Sequence, residues 1–342
     1  MKRSILSLIM LMLVICIPFF AYFYNNKFDL RVFNIFSDND ISYTLVESSL
    51  NGNQSSLDKL TKIILNANNL NEWENETDVK AYICSGDILG GPEKEIIIGI
   101  SLPPDSSLLS ILEPNNGKKQ YYIYYTTTDL APINSIKLFT LPFYDKSLIL
   151  LKETLDESFG AFFKSTINEI FIWNNSKLEE AWNGTEKYTA YWNTAWDENN
   201  PENKWIKLKE DAIISMSQDN TLISVHSYQA YMESNTLDEN IPEDDTFKTV
   251  KQRKLSSTYH WDNESMRYIR GYANLNSNTD LYDYDGINFI KKKELSNGET
   301  VKLIQDLNEL ADNLINNNLN YYKVLTSTGL IGYISKEAIS LQ

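Results

Sequence analysis

The chain has 342 residues, more than a typical single domain, and its 46 Asp and Glu against 31 Lys and Arg give a formal net charge of −15. Such an acidic surface repels a phosphate backbone, so we expect no nucleic-acid partner. The chain has two cysteines, too few for a disulfide-rich scaffold, and its stability must therefore come from the burial of apolar side chains.

The N-terminal region contains an uncharged and almost wholly apolar run. It covers residues 5–24 and directly follows Lys2 and Arg3. A helix of about 20 residues extends about 30 Å, the thickness of the hydrocarbon core of a bilayer. Two cations before the run favour a cytoplasmic N-terminus and export of the remaining chain. The sequence therefore predicts a transmembrane anchor over residues 1–24 of a single-pass protein of the cell membrane.

Two other interpretations of this run stay open. A cleaved signal peptide usually has an apolar core of about 7–15 residues and a small-x-small cleavage site, whereas here the run is longer and Ala21 precedes three aromatic residues. A lipoprotein would be acylated at Cys16, but Ile15 stands where a small residue is expected. We prefer the uncleaved anchor, because the aromatic residues at its end suit the membrane interface.

Residues 25–75 are expected to form a polar spacer followed by an amphipathic helix. Leu57, Leu60 and Ile64 recur at spacings of three and four, which is typical of one apolar helix face. Ser55 or Ser56 is the predicted N-cap, and the Asn-rich residues 66–71 are expected to end the helix.

Residues 76–270 show the pattern of a β-rich ectodomain. Short apolar or alternating runs are separated by Asn, Gly, Asp and Pro, as expected for antiparallel strands. The candidate strands are residues 79–83, 95–100, 121–126, 135–141, 148–151, 169–173, 212–216, 222–227 and 258–261. The fold class that we predict is therefore mainly β, with a propeller-like or sandwich central domain.

One loop in this region resembles a known repeat. Residues 84–91 read CSGDILGG and residues 95–99 read EIIIG, which is similar to the Gly-Asp-x-x-Gly loop and following strand of FG-GAP (VCBS-type) β-propeller repeats. The resemblance implies a propeller-like domain. Calcium-binding repeats carry carboxylates at alternate loop positions, but beyond Asp87 this loop has Leu89 and Gly91 there. We therefore predict no metal at the loop, and no cofactor elsewhere.

Five of the seven tryptophans fall between residues 173 and 205. Exposed indole rings can stack on sugar rings, so Trp192 and Trp196 are candidates for ligand binding. The alternative is that these rings belong to the core of a β domain.

No residue cluster predicts catalysis. The adjacent carboxylates at positions 156 and 157, 179 and 180, and 197 and 198 would point to opposite faces of a strand, so adjacency does not make an acid and base pair. The chain also lacks a nucleotide-binding loop, a zinc-ligand spacing and a serine-nucleophile motif. We assign no catalytic residue.

The C-terminal part carries the more specific resemblance. Residues 279–282 read TDLY, residues 295–304 read LSNGETVKLI, residues 321–326 read YYKVLT and residues 329–334 read GLIGYI. Over residues 275–342 this resembles a bacterial Src-homology-3-like (SH3b) domain. The resemblance implies a small β-barrel that binds cell-wall peptides or glycans and has no catalytic residues. Asn297-Gly298 is also a strong hairpin signal by itself.

Four tyrosines are the candidates for a ligand groove on this domain. They are Tyr282, Tyr284, Tyr321 and Tyr333. The alternative is that two or more of them fill the barrel core.

The combined expectation is a non-catalytic, extracytoplasmic binding or scaffold protein of the bacterial cell envelope. Its partners would be the membrane, through residues 5–24, and either peptidoglycan or an envelope protein. Two alternatives stay open: a cell-wall or polysaccharide hydrolase that uses the C-terminal domain for targeting, and a signalling or assembly subunit of the envelope.

Overall fold

The computed structural model describes residues 40–115, 117–158, 162–196, 203–236, 240–285, 288–314 and 320–341. The predicted anchor and residues 25–39 of the predicted spacer lie outside the described residues. The described chain divides into two compact units, of which the first ends at Tyr268 and the second begins at Ile269.

The first unit begins with two helices, α1 (Tyr43–Leu50) and α2 (Gln54–Ala67). The predicted amphipathic helix is confirmed in α2, where Leu60, Ile64 and Leu65 are buried. The predicted cap is wrong: Asn53 caps α2, and its Oδ1 accepts a hydrogen bond from the N–H of Ser56 at 3.0 Å. Both α-helices that the structure describes fall short of the length and hydrophobicity needed to cross a bilayer.

Five antiparallel strands form sheet A in the order β1-β5-β4-β3-β2. These strands are β1 (Ile41–Ser42), β2 (Lys80–Gly86), β3 (Glu95–Leu102), β4 (Ser106–Asn115) and β5 (Gln120–Leu130).

Eight strands form sheet B, a meander that keeps the chain order from one edge to the other. They are β6 (Ile133–Leu141), β7 (Tyr144–Glu157), β8 (Phe163–Asn174), β9 (Lys177–Asn193), β10 (Trp205–Met216), β11 (Leu222–Ser234), β12 (Lys248–Asp262) and β13 (Arg267–Ile269). Buried side chains from both halves of the meander meet in one apolar cluster, so the sheet curls around a shared core.

Strand β3 is buried on both faces. Ile96, Ile98 and Ile100 pack with Leu60 and Ile64 of α2. The alternate face lies against β6, because a Cβ placed on Gly99 would come within 2.6 Å of Ile136 Cδ1. Two covered faces explain why this strand reads as a continuous apolar run rather than an alternating one.

The second unit is built from one antiparallel sheet, sheet C, in the order β16-β15-β19-β18-β17-β14-β20. Its strands are β14 (Gly271–Leu275), β15 (Thr279–Tyr284), β16 (Phe289–Leu295), β17 (Thr300–Asp306), β18 (Tyr321–Thr326), β19 (Ile331–Ser335) and β20 (Ile339–Leu341). Between β17 and β18 lie two 3₁₀ helices, Leu307–Glu309 and Ala311–Leu314.

One face of sheet C carries the aliphatic core of this unit. Leu281, Val324 and Ile334 are fully buried there. Gly332 lets β19 approach β15 closely, since a Cβ at this position would come within 2.7 Å of the carbonyl oxygen of Tyr282. Any larger residue at position 332 would therefore push these two strands apart.

The predicted fold class, mainly β, is confirmed. Each strand segment predicted between residues 79 and 261 overlaps an observed strand, although the observed strands are longer. Among strands β2 to β12, the candidate segments given above include none within β4 or β9.

The two-sided burial of β3 generates a test. Ile98→Ala should lower the free energy of unfolding of the first unit by about 2–5 kcal/mol, because it leaves a cavity between α2 and sheet A. Ile213→Ala is the matched control, since Ile213 is 72% exposed and should change stability by about 0.5 kcal/mol or less. Urea unfolding followed by tryptophan fluorescence isolates this unit, because all seven tryptophans lie between residues 73 and 261. Equal effects of the two variants would contradict the packing described here.

Candidate functional site

Three aromatic rings form a stack on sheet C. Phe289 of β16 lies between Tyr284 of β15, at 4.5 Å between ring centroids, and Tyr321 of β18, at 4.0 Å. The interplanar angles are 23° and 20°, so the three rings are nearly parallel. Both faces of the Phe289 ring are therefore covered, and the outer faces of the stack belong to tyrosines.

Two further tyrosines meet this stack edge-on. The ring of Tyr282 lies 6.0 Å from Phe289, and that of Tyr333 lies 5.8 Å from Tyr284. The structure thus brings all four sequence-predicted tyrosines together around Phe289, which was not among the predicted ligand-binding residues. We call these five residues the aromatic cluster.

Strand alternation places the aromatic cluster on the face opposite the aliphatic core. Tyr282 is paired with Tyr333, and the adjacent residues Leu281 and Ile334 both point into the core. Tyr333 is 7% exposed, whereas Tyr282, Tyr284 and Tyr321 are half-buried. The tyrosine that packs against the core is Tyr322, which the sequence analysis did not single out.

Charged side chains border the aromatic cluster. Lys291 Nζ lies 2.6 Å from Asp280, and Lys292 Nζ lies 2.8 Å from Asp283. Burial and the negative charge of Asp280 raise the pKa of the Tyr282 phenol. The phenol of Tyr282 is therefore neutral at physiological pH and presents an uncharged ring.

An ionic network fixes the strand that carries Tyr321. The Arg270 guanidinium lies 2.9 Å from Glu309, and Lys336 Nζ lies 2.5 Å from Asp306. Lys336 Nζ also lies 4.8 Å from the centre of the Tyr322 ring. These contacts join the ends of β17, β18 and β19 and hold Tyr322 in place, and Tyr321 is the next residue.

The structure separates the two candidate tryptophans. Trp192 is paired with Ile206 and contacts Tyr231 at 6.5 Å. Trp196 instead contacts Trp205 at 5.4 Å, and Trp205 points to the face opposite Ile206 because the two are consecutive in β10. Trp192 and Trp196 therefore lie on different faces and do not form one platform, although Trp196 is 42% exposed.

A buried lysine lies near the same end of sheet B. The side chain of Lys207 is 6% exposed, and its Nζ donates a hydrogen bond of 2.7 Å to Asp244 Oδ1. The Nζ also lies 5.2 Å from the Tyr191 ring centre and 5.7 Å from that of Phe247. Burial opposes the charged form of Lys207, but the hydrogen bonds with Asp244 and Tyr191 outweigh it and raise its pKa.

The Gly-Asp-x-x-Gly loop holds its own carboxylates. Glu95 is buried and accepts hydrogen bonds from the N–H groups of Ile88 at 2.7 Å and Leu89 at 3.1 Å. Asp87 accepts one from the N–H of Gly90 at 2.9 Å. Both carboxylates thus stabilise the loop backbone. Across the described residues, no group of three or more His, Cys, Asp and Glu is placed to hold a metal ion.

The adjacent carboxylates form local polar contacts, and the thiol of Cys84 is partly buried. Asp156 lies 2.5 Å from Lys164, and Glu179 accepts a hydrogen bond from Asn174 at 3.0 Å. The pair at positions 197 and 198 lies outside the described residues. Burial raises the pKa of the Cys84 thiol to about 12, so this thiol stays protonated and is a poor nucleophile at neutral pH.

The contact between Lys207 and Asp244 predicts a pH-dependent contribution to stability. Asp244→Asn should lower the free energy of unfolding of the first unit by about 1–3 kcal/mol at pH 7, because a buried ammonium loses its carboxylate. The hydrogen bond with Lys207 lowers the pKa of Asp244 in the folded chain. Its contribution is therefore complete above about pH 4 and disappears as the pH falls through the lowered pKa.

The measurement is urea unfolding by tryptophan fluorescence at several pH values, with Asp245→Asn as the control. Asp245 is exposed and adjacent to Asp244. The difference between wild type and Asp244→Asn should vanish at acid pH. A difference that persists there, or an equal effect of Asp245→Asn, would contradict the role assigned to this ion pair.

Comparison with known proteins assigns no family to the chain. No protein-family model matches it, and no curated protein sequence matches it.

Proposed function

We propose that this chain is a non-catalytic binding protein of the bacterial cell envelope, anchored in the membrane by residues 5–24. Its C-terminal unit, as an SH3-like barrel, would bind cell-wall peptide or glycan through the aromatic cluster. The observation that carries the proposal is the convergence of Tyr282, Tyr284 and Tyr321 around Phe289, on the face that the aliphatic core does not use.

Binding would use ring faces and backbone amides together. The outer faces of Tyr284 and Tyr321 offer apolar surfaces on which a sugar or peptide face can stack. Strand β16 is at the edge of sheet C, so its outward N–H and C=O groups are placed to hydrogen-bond an extended ligand. The charged pairs of Lys291 and Lys292 border this edge and would orient polar groups of the ligand.

For the first unit, the strand order supports the sandwich interpretation over the propeller. Propeller blades are usually four-stranded and arranged radially, whereas sheet B continues through eight strands in chain order. We propose that this unit is a rigid scaffold between the membrane anchor and the C-terminal unit.

Substitution of the tyrosines of the aromatic cluster should weaken binding of the chain to the cell wall. In a sedimentation assay with purified peptidoglycan and the detergent-solubilised full chain, the double variant Tyr282→Ala and Tyr321→Ala should bind roughly tenfold more weakly, because two stacking rings are lost. Tyr228→Ala is the matched control, as Tyr228 is also a half-buried tyrosine but lies in the first unit.

Circular dichroism of each variant establishes that the fold is retained. Absence of wild-type sedimentation, or unchanged binding by a folded double variant, would contradict the proposal. Release of soluble wall fragments during the assay would replace it with the hydrolase alternative.

The anchor predicts the location of the chain. The full-length protein should fractionate with membranes and lose its C-terminal unit to protease added outside intact spheroplasts, because an apolar run of the length of residues 5–24 is sufficient to cross one hydrocarbon core as a helix. A variant that lacks residues 2–24 should remain soluble in the cytosol. Recovery of the intact full-length chain in the cytosol would contradict this assignment.

A further inference from the structure

The first part of strand β12 is an uncovered sheet edge. In sheet B, β12 lies between β11 and β13, but β13 has three residues and β12 has fifteen. The hairpin between them turns at residues 263–266, so β13 lies beside the C-terminal end of β12. Within the described chain, no strand pairs with the outward edge of residues 248–255.

This edge is strongly cationic in a chain of net charge −15. Residues 248–254 read KTVKQRK, with four cations and no acid. The side chains of Lys248, Lys251 and Lys254 are exposed. Considering the described residues alone, none of these three ammonium groups lies within ion-pair distance of a carboxylate; Lys251 Nζ lies 6.0 Å from the Tyr231 ring centre.

The edge also exposes an apolar side chain. Val250 is 53% exposed and lies at a bulge, because Tyr231 is paired with Lys251 whereas Met232 is paired with Thr249. A bulged valine between lysines gives an incoming strand one apolar contact. It also breaks the regular alternation, which restricts the register in which another strand can pair.

The charge of these lysines disfavours pairing with a second copy of this chain and favours pairing with an acidic strand. Edge-to-edge pairing of two copies would bring identical cationic strands together, and like charges on adjacent strands repel. An acidic strand would instead place carboxylates beside Lys248 and Lys251, which lie on one face of the sheet because their partners Glu233 and Tyr231 are two residues apart on β11. Unpaired backbone amides provide the affinity of strand addition, and the side chains decide the partner.

We propose that residues 248–255 bind an extended acidic segment of a partner protein as an added β-strand. This surface belongs to the first unit and does not depend on the aromatic cluster. The ligand class is a peptide with carboxylates at alternate positions and at least one apolar residue opposite Val250. Binding should weaken with rising salt, because the contacts are between exposed charges.

The test uses a fluorescein-labelled peptide of alternating Glu and Val residues and the detergent-solubilised full chain. Fluorescence anisotropy should show saturable binding of this peptide and none of the corresponding Lys and Val peptide. The double variant Lys248→Glu and Lys251→Glu should bind at least about tenfold more weakly. The matched control is Lys59→Glu with Lys137→Glu, which makes the same charge change at two exposed positions of the same unit.

Hydrogen exchange of residues 248–255, measured by mass spectrometry, separates strand addition from side-chain attraction alone. Slower amide exchange in this segment on peptide binding supports the proposal. The proposal is overturned by equal binding of both peptides, by binding that the Lys248 and Lys251 variant retains, or by binding without amide protection. Wall sedimentation of the same double variant should be unchanged, so failure here is distinguishable from failure of the function proposed above.

Discussion

Burial of β3 on both faces is the constraint on which the first unit depends. One face packs against α2 and the other against β6, so a single strand joins the helices, sheet A and sheet B. The isoleucines at residues 96–98 are buried, and a Cβ at Gly99 would come within 2.6 Å of Ile136 Cδ1 of β6. Sheet B is therefore held against sheet A through β3, together with β2, where Gly86 lies close to Leu138 of β6.

Part of this architecture is readable from the residues alone. The apolar run of β3 and the periodicity of α2 predict a buried strand and an amphipathic helix, and both are present. Strand β4 escapes detection because two register shifts and Pro114 interrupt its alternation. The N-cap of α2 was misplaced because three candidate cap residues occur within four positions, and the helix start decides between them.

The candidate site was predictable to a different degree in each unit. In the C-terminal unit, the four tyrosines could be named as candidates from the sequence, but the pairing that brings Phe289 between Tyr284 and Tyr321 depends on which strands are neighbours. In the first unit, proximity in sequence suggested a shared role for Trp192 and Trp196. Trp196 packs on Trp205, whereas Trp192 is paired with Ile206. Trp205 and Ile206 are consecutive in β10 and point to opposite faces, so the two candidate tryptophans are separated.

Leu281 points into the aliphatic core and Tyr282 points to the opposite face of β15. This alternation makes the C-terminal unit sensitive to insertions in β15. The pairing of β15 with β16 already contains one irregularity, between Leu281 and Tyr282. Gain or loss of a single amino acid upstream in β15 would exchange the roles of its two sides, sending phenols inward and leucine outward. A single-residue insertion or deletion within β15 should therefore disturb this unit more than the same change in an exposed turn.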